Sequence, residues 1–266
     1  MSETSSSDCA HHVYHREVDV MGTIVTIDLF GDLHLNVAGM TGGVDAAEQI
    51  LREADEVFST WKANSPVSRL RRGELTINEV PSVVHEVLDA CSWARRATHG
   101  FFDPWSMPGG VDPTGLVKGW AAQRALNSLR ELELAGALVN AAGDVASFGG
   151  PVADKAFRIG IVRPEDPRRL ACVVESPGAV ATSGTYQRGN HLINPFTGVA
   201  APTVSATVTG PDLGLSDALA TALAISGPAG LEWVSALDDY EGLIVHTSGD
   251  LDMSDGFPLA ERFIDR

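Results

Sequence analysis

No run of about eighteen apolar residues occurs in the chain, so a membrane-spanning helix is not expected. Basic residues are scarce: 19 Lys and Arg stand against 35 Asp and Glu, a formal net charge of −16. Most of such a surface repels a phosphate backbone or an anionic membrane, which excludes nucleic acid as a natural partner. A polyphosphate ligand needs a local remedy for that repulsion: a divalent cation, a buried lysine, or backbone amides at a glycine-rich turn. The three cysteines, Cys9, Cys91 and Cys172, are odd in number and spaced neither for zinc nor for a disulfide framework, which fits a reducing compartment. The first ten residues carry no basic stretch followed by an apolar one, so no secretory signal or lipid anchor is expected and a cytoplasmic location is.

What is present is 266 residues with 44% hydrophobic content and 27 glycines, enough for a sizeable core. The expected organisation is a polar, disordered tail over 1–16 and one domain over 17–266. In the tail, His11, His12 and His15 with Cys9 offer transition-metal donors, although a histidine-rich tail is usually only a tail. Met21 to Phe30 alternates β-branched and polar residues and predicts a strand. Apolar stripes predict helices from Ala46 to Phe58, from Pro81 towards Gly100, and from Trp120 to about Leu132. Short strand signals follow at Ala137–Asn140, Phe157–Val162, Leu170–Val174, Ala179–Ala181 and Val204–Thr209, separated by turn formers, and predict an antiparallel sheet. Ser216 to Gly227 reads as a short buried helix capped by Ser216, with Leu231–Leu237 helical and Gly242–His246 extended after it. The fold class is therefore α+β, with helices packed on a largely antiparallel sheet.

Chemistry concentrates in a few stretches. Asp217 and Thr221, four apart on that helix, present a carboxylate and a hydroxyl on one face, a pair suited to magnesium. Asp217 could equally complement the helix N-terminus, with Thr221 bonding back to a carbonyl. Asp112 lies six positions before Lys118, with Thr114-Gly115 between them, where a glycine, a lysine and a helix start could meet phosphate oxygens. Asp144, after Asn140-Ala-Ala-Gly143, reads as a turn cap. Trp61 could stack on a flat ring or merely cover a helix end. His191 is a candidate proton carrier, because imidazole titrates nearest neutrality.

In this order the stretches resemble one family, the ApbE-like FAD:protein FMN transferases. The motifs are Met21-Gly-Thr23, Phe58-Ser-Thr-Trp61, Phe102-Asp-Pro104, Asp112 through Lys118-Gly119, Asn140 to Asp144, Thr182-Ser-Gly184 with Tyr186, His191 through Gly198, and Asp217-Ala-Leu-Ala-Thr221. The resemblance implies a T-fold-like architecture, FAD as substrate, magnesium as cofactor and a flavin-acceptor protein as partner. FMN would pass to a threonine or serine hydroxyl and AMP would leave. It implies Asp217, Thr221 and the carbonyls of Ala220 and Gly115 as metal ligands. It likewise implies Met21, Trp61, Phe101, Phe102, Asp103, Asp112, Lys118 and Ile193 around FAD. The base is expected to be His191, with Asp112 second. Alternatives are an FAD pyrophosphatase giving FMN and AMP, and a non-catalytic FAD-binding protein. Two departures stand out: only eight residues separate Asp103 from Asp112, where the family usually has a long insertion, and Asn194 replaces the usual aspartate before Pro195.

Overall fold

The computed structural model describes residues 11–32, 37–152, 155–176, 178–184, 192–199, 201 and 205–263. Its frame is an antiparallel sheet of eight strands in the order β1-β2-β3-β4-β7-β8-β9-β10. These are β1 (His11–Val20), β2 (Thr23–Gly31), β3 (Gly136–Ala141), β4 (Asp144–Gly149), β7 (Ala179–Gly184), β8 (Ser205–Gly210), β9 (Glu241–Val245) and β10 (Leu251–Met253). A second sheet joins β5 (Arg158–Val162), β6 (Leu170–Glu175) and β11 (Leu259–Arg262) in the order β11-β6-β5. The helices are α1 (Val37–Phe58), α2 (Pro66–Arg71), α3 (Ser82–Ala97), α4 (Thr114–Ser128), α5 (Leu213–Ser226) and α6 (Gly230–Ser235). None among the described residues is long and apolar enough to cross a membrane.

Side-chain alternation places the large sheet between two layers. Val25, Ile27, Leu29, Val139, Ala179, Ala181, Ala206, Val208 and Ile244 join the core shared with α1, α4 and α5. The intervening Val180, Leu243 and Val245 face the other way, onto Ile161, Cys172 and Val174 of the small sheet. Strand β7 is thereby covered on both sides.

Four expectations shift. Residues 11–16, assigned to a disordered tail, form the first half of β1, paired with β2 from His11↔Gly31 onward. Helix α4 begins at Thr114, not Trp120. Gly115 and Gly119 lower the helical signal of its first turns, but tertiary packing needs Gly119. A β-carbon there would stand 2.5 Å from the Leu213 carbonyl oxygen, and one on Gly214 would stand 3.0 Å from Trp120 Cα. Helix α5 begins at Leu213, and its cap is Asp212, which accepts from Leu215 N at 2.8 Å; Ser216 lies inside the first turn. Gln123 Oε1 also accepts from Leu213 N at 3.1 Å, so α4 helps cap α5. Strand β4 was not anticipated, nor was the separation of β5, β6 and β11 into a second sheet.

Candidate active site

Two hairpins open the site at one end of the large sheet. Met21-Gly22 joins β1 to β2 and Ala142-Gly143 joins β3 to β4, each two residues long, and all four residues have positive φ, as a type I′ turn requires. Asn140 Oδ1 accepts from Gly143 N at 2.7 Å and steadies the second turn. Because β2 pairs with β3, Met21 and Ala142 arrive at the same cavity.

That cavity is about 720 Å³. Met21, Trp61, Phe101, Phe102, Asp103, Asp112, Gly115, Lys118, Ile193, Asp217 and Thr221 all line it, so the structure gathers residues spread over two hundred positions. Ala220 is fully buried and does not line the cavity. His191 and Tyr186 lie outside the described residues.

The walls are built from local rules. Trp61 sits beyond the end of α1 and is 95% exposed at the rim; next to it Lys62 pairs with Asp55 and Glu56, each at 2.6 Å. The Ser59 carbonyl accepts from the hydroxyls of Ser65 and Ser68, which fixes the turn before α2. The Phe102 ring covers the first turn of α4, where a β-carbon on Gly115 would approach it to 3.2 Å. Asp103 caps its own turn through Trp105 N at 3.0 Å and pairs with Arg95 at 2.9 Å. The short Asp103-to-Asp112 connection is clamped by Arg71, which donates to the carbonyls of Pro108 (2.8 Å) and Val111 (3.2 Å) and pairs with Asp112 at 2.9 Å. The other oxygen of Asp112 accepts from the Thr114 hydroxyl at 2.6 Å, so both oxygens are engaged. Asn194 Oδ1 accepts from Phe196 N and Thr197 N, which makes it a turn former.

The floor holds the charged cluster. Lys118 of α4 reaches between Asp217 of α5, at 3.0 Å, and Asp144 at the head of β4, to which its ammonium donates. Asp144 is a correction to the turn-cap reading: its second oxygen accepts from Thr182 N at 2.8 Å, so it ties β4 to β7 and holds the lysine. A carboxylate leading a strand whose next two residues, Val145 and Ala146, are apolar and buried was the signal available for it. Ser183 and Thr221 hydroxyls lie 3.0 Å apart beside the cluster. One lysine against two carboxylates leaves one negative charge uncompensated. Asp217 Oδ2 lies near Lys118 Nζ but at an angle that makes no hydrogen bond, and it is buried without another partner. Asp217 Oδ2 therefore relies on the ion pair with Lys118, which it shares with Asp144, and a second cation would balance the remaining charge.

Neither described thiol, Cys91 or Cys172, lines the cavity. Burial pushes Cys91 up to about 12 and Cys172 up to about 11, so neither forms a nucleophilic thiolate near neutrality.

The sequence model of the ApbE family matches residues 21–109 and 106–244. No curated protein sequence matches the chain. Among solved structures, the flavin transferase ApbE of Vibrio cholerae superposes with a TM-score of 0.74 at 20% identity, covering 92% of this chain and 97% of that one. The ApbE protein of Thermotoga maritima gives 0.76 at 22% identity, covering 91% and 97%. The apo flavinyl transferase ApbE of Pseudomonas stutzeri gives 0.74 at 20% identity, covering 96% of each chain. These likenesses establish the α+β fold over nearly the whole chain.

Proposed function

The chain belongs to the ApbE family, and from that premise we propose that it is an FAD:protein FMN transferase, moving FMN from FAD onto a threonine or serine hydroxyl of an acceptor protein. The observation that carries the reading is the floor of the cavity: two buried carboxylates, Asp217 and Asp144, share the single ammonium of Lys118 beneath an aromatic rim. A site for a flat ring alone would not need that cluster.

The chemistry follows from the parts. The acceptor oxygen bonds to the phosphorus on the riboflavin side, the bond from that phosphorus to the bridging oxygen breaks, and the bridging oxygen leaves with AMP. Negative charge builds on the phosphoryl oxygens, and stabilising it is the main task of such a site. Lys118 is held by Asp144 and Asp217 before substrate arrives, so its ammonium is oriented at no cost during the reaction. Met21, Phe101, Phe102, Ile193 and exposed Trp61 supply apolar faces for the flavin ring. The hydroxyl proton needs a base. Asp112 is occupied by Arg71 and Thr114, which favours His191.

The donor set fits magnesium: Asp217, Thr221 and Asp144 offer hard oxygens, and the two carboxylates have one lysine between them. The resemblance adds the carbonyls of Gly115 and Ala220. Bound there, Mg2+ would supply charge neutralisation on the pyrophosphate.

The test is to incubate the protein with FAD, Mg2+ and a flavin-acceptor domain and to follow AMP release and the acceptor's mass. An acceptor heavier by one FMN, with matching AMP, supports transfer. AMP and free FMN without a mass change indicate a pyrophosphatase, and no AMP at all indicates a binding protein; either result overturns the proposal.

A further inference from the structure

The start of the chain carries a second cluster, remote from the cavity and unused by the reaction above. In a regular strand His12 and His15, three apart, point to opposite faces. Here the β1–β2 register slips by one between His12 and Tyr14, with His12 opposite Phe30, Tyr14 opposite Leu29 and His15 opposite Asp28. Val13 is the extra residue of a bulge, a device that re-aims a side chain. Both imidazoles therefore lie on one face with Asp28, the face turned away from the helices: Arg16, next along, points to α1 and pairs with Glu48.

The convergence is tight. His12 Nε2 lies 2.8 Å and His15 Nδ1 2.7 Å from the same oxygen, Asp28 Oδ1. One ligand atom from each of the three residues lies within 4.8 Å of the other two. Outer partners are also in place. Glu17 Oε1 stands 3.7 Å from His15 Nε2, the ring nitrogen left over, and the Thr26 hydroxyl donates to Asp28 Oδ2 at 3.3 Å. The His12 ring leans on Phe30, with centroids 5.1 Å apart, and Phe30 in turn meets Phe157.

We propose that His12, His15 and Asp28 bind one divalent transition-metal ion of borderline softness, zinc being the test case, and that this ion staples the edge strand β1 to β2. Two imidazoles and a carboxylate suit such ions rather than magnesium or calcium. A carboxylate behind a ligating imidazole fixes its tautomer and raises its basicity, the role Glu17 takes towards His15. Two of the ligands sit on β1 and one on β2, so the ion bridges a strand that, among the described residues, has a single neighbour in the sheet. Open positions face solvent, since both histidines are close to half exposed.

The test uses full-length, tag-free, chelator-treated protein and Zn2+ alone, titrated by calorimetry, with melting followed with and without zinc. Wild type should bind one zinc equivalent and melt higher with it. His12→Ala and His15→Ala should each weaken that binding at least about tenfold and lose the thermal shift. Asp217→Ala, at the cavity, and Cys9→Ser, in the preceding segment, should retain both. The exposed histidine substitutions should leave circular dichroism unchanged. The proposal is overturned if wild type binds no zinc, if both histidine variants bind within tenfold of it, or if Asp217→Ala or Cys9→Ser removes the equivalent.

Discussion

Gly119 of α4 lies so close to Leu213 of α5 that a β-carbon on it would stand 2.5 Å from the Leu213 carbonyl oxygen. This contact sets the spacing of the two helices that carry Lys118 and Asp217. Gly119→Ala should push them apart, lowering unfolding stability by about 1–3 kcal/mol. AMP release should fall further than the loss of folded protein explains. Urea denaturation and turnover on the same preparation check both.

Asp217→Ala removes one of the two carboxylates that hold Lys118 without touching the apolar side of α5. Turnover should drop by at least about a hundredfold, the scale of losing a preorganised charge contact. Circular dichroism should remain that of wild type. A variant with full activity sinks the assignment of Asp217 to the cation.

Lys118→Met leaves Asp144 and Asp217 facing one another with no cation between them. Breaking a buried pair costs about 3–5 kcal/mol, and the open cavity should reduce this to about 2. Activity should fall as steeply as for Asp217→Ala, but here stability falls as well. Magnesium should restore part of the melting temperature, because it can take the vacant cationic position.

His191→Ala should lower transfer by about 10²–10⁴, the range for a general base. Asp112→Asn, whose carboxylate is already engaged, should cost less in the rate and more in the KM for FAD, through the Arg71-clamped loop. The ratio of the two effects, read from steady-state kinetics, assigns the proton acceptor.

The hydrogen bond to Asp28 raises the pKa of His15 above 6.5, against a smaller opposing effect of burial. A group whose folded pKa is raised stabilises the fold fully below its unfolded value. That contribution fades as pH rises through the folded value. The effect is small because the pair is exposed. Imidazole NMR should give a His15 midpoint above 6.5 in wild type, and Asp28→Asn should return it towards 6.5.

Much of this is legible in the amino-acid sequence. Period-two alternation placed the central strands, and the family resemblance that the ordered motifs carry implied eleven residues that do line one cavity. The misses have physical causes. Glycine at 115 and 119 suppresses helical signal, yet those glycines exist so that α4 can lie against Phe102 and α5. The bulge at Val13 breaks the alternation of His11–Val20, so β1 read as a tail. Asp144 looked like a turn residue because its partners, Lys118 and Thr182, are 26 and 38 positions away. Such long-range partners cannot be read from local spacing.

The charged floor draws on α4, α5 and the head of β4, three stretches that meet only when the sheet and its helices have docked. A chain in which those stretches are apart has no such chelating cluster. At the proposed Mg2+ site, a divalent cation would favour the finished molecule over its precursors and slow its unfolding, while leaving the rate of folding unchanged.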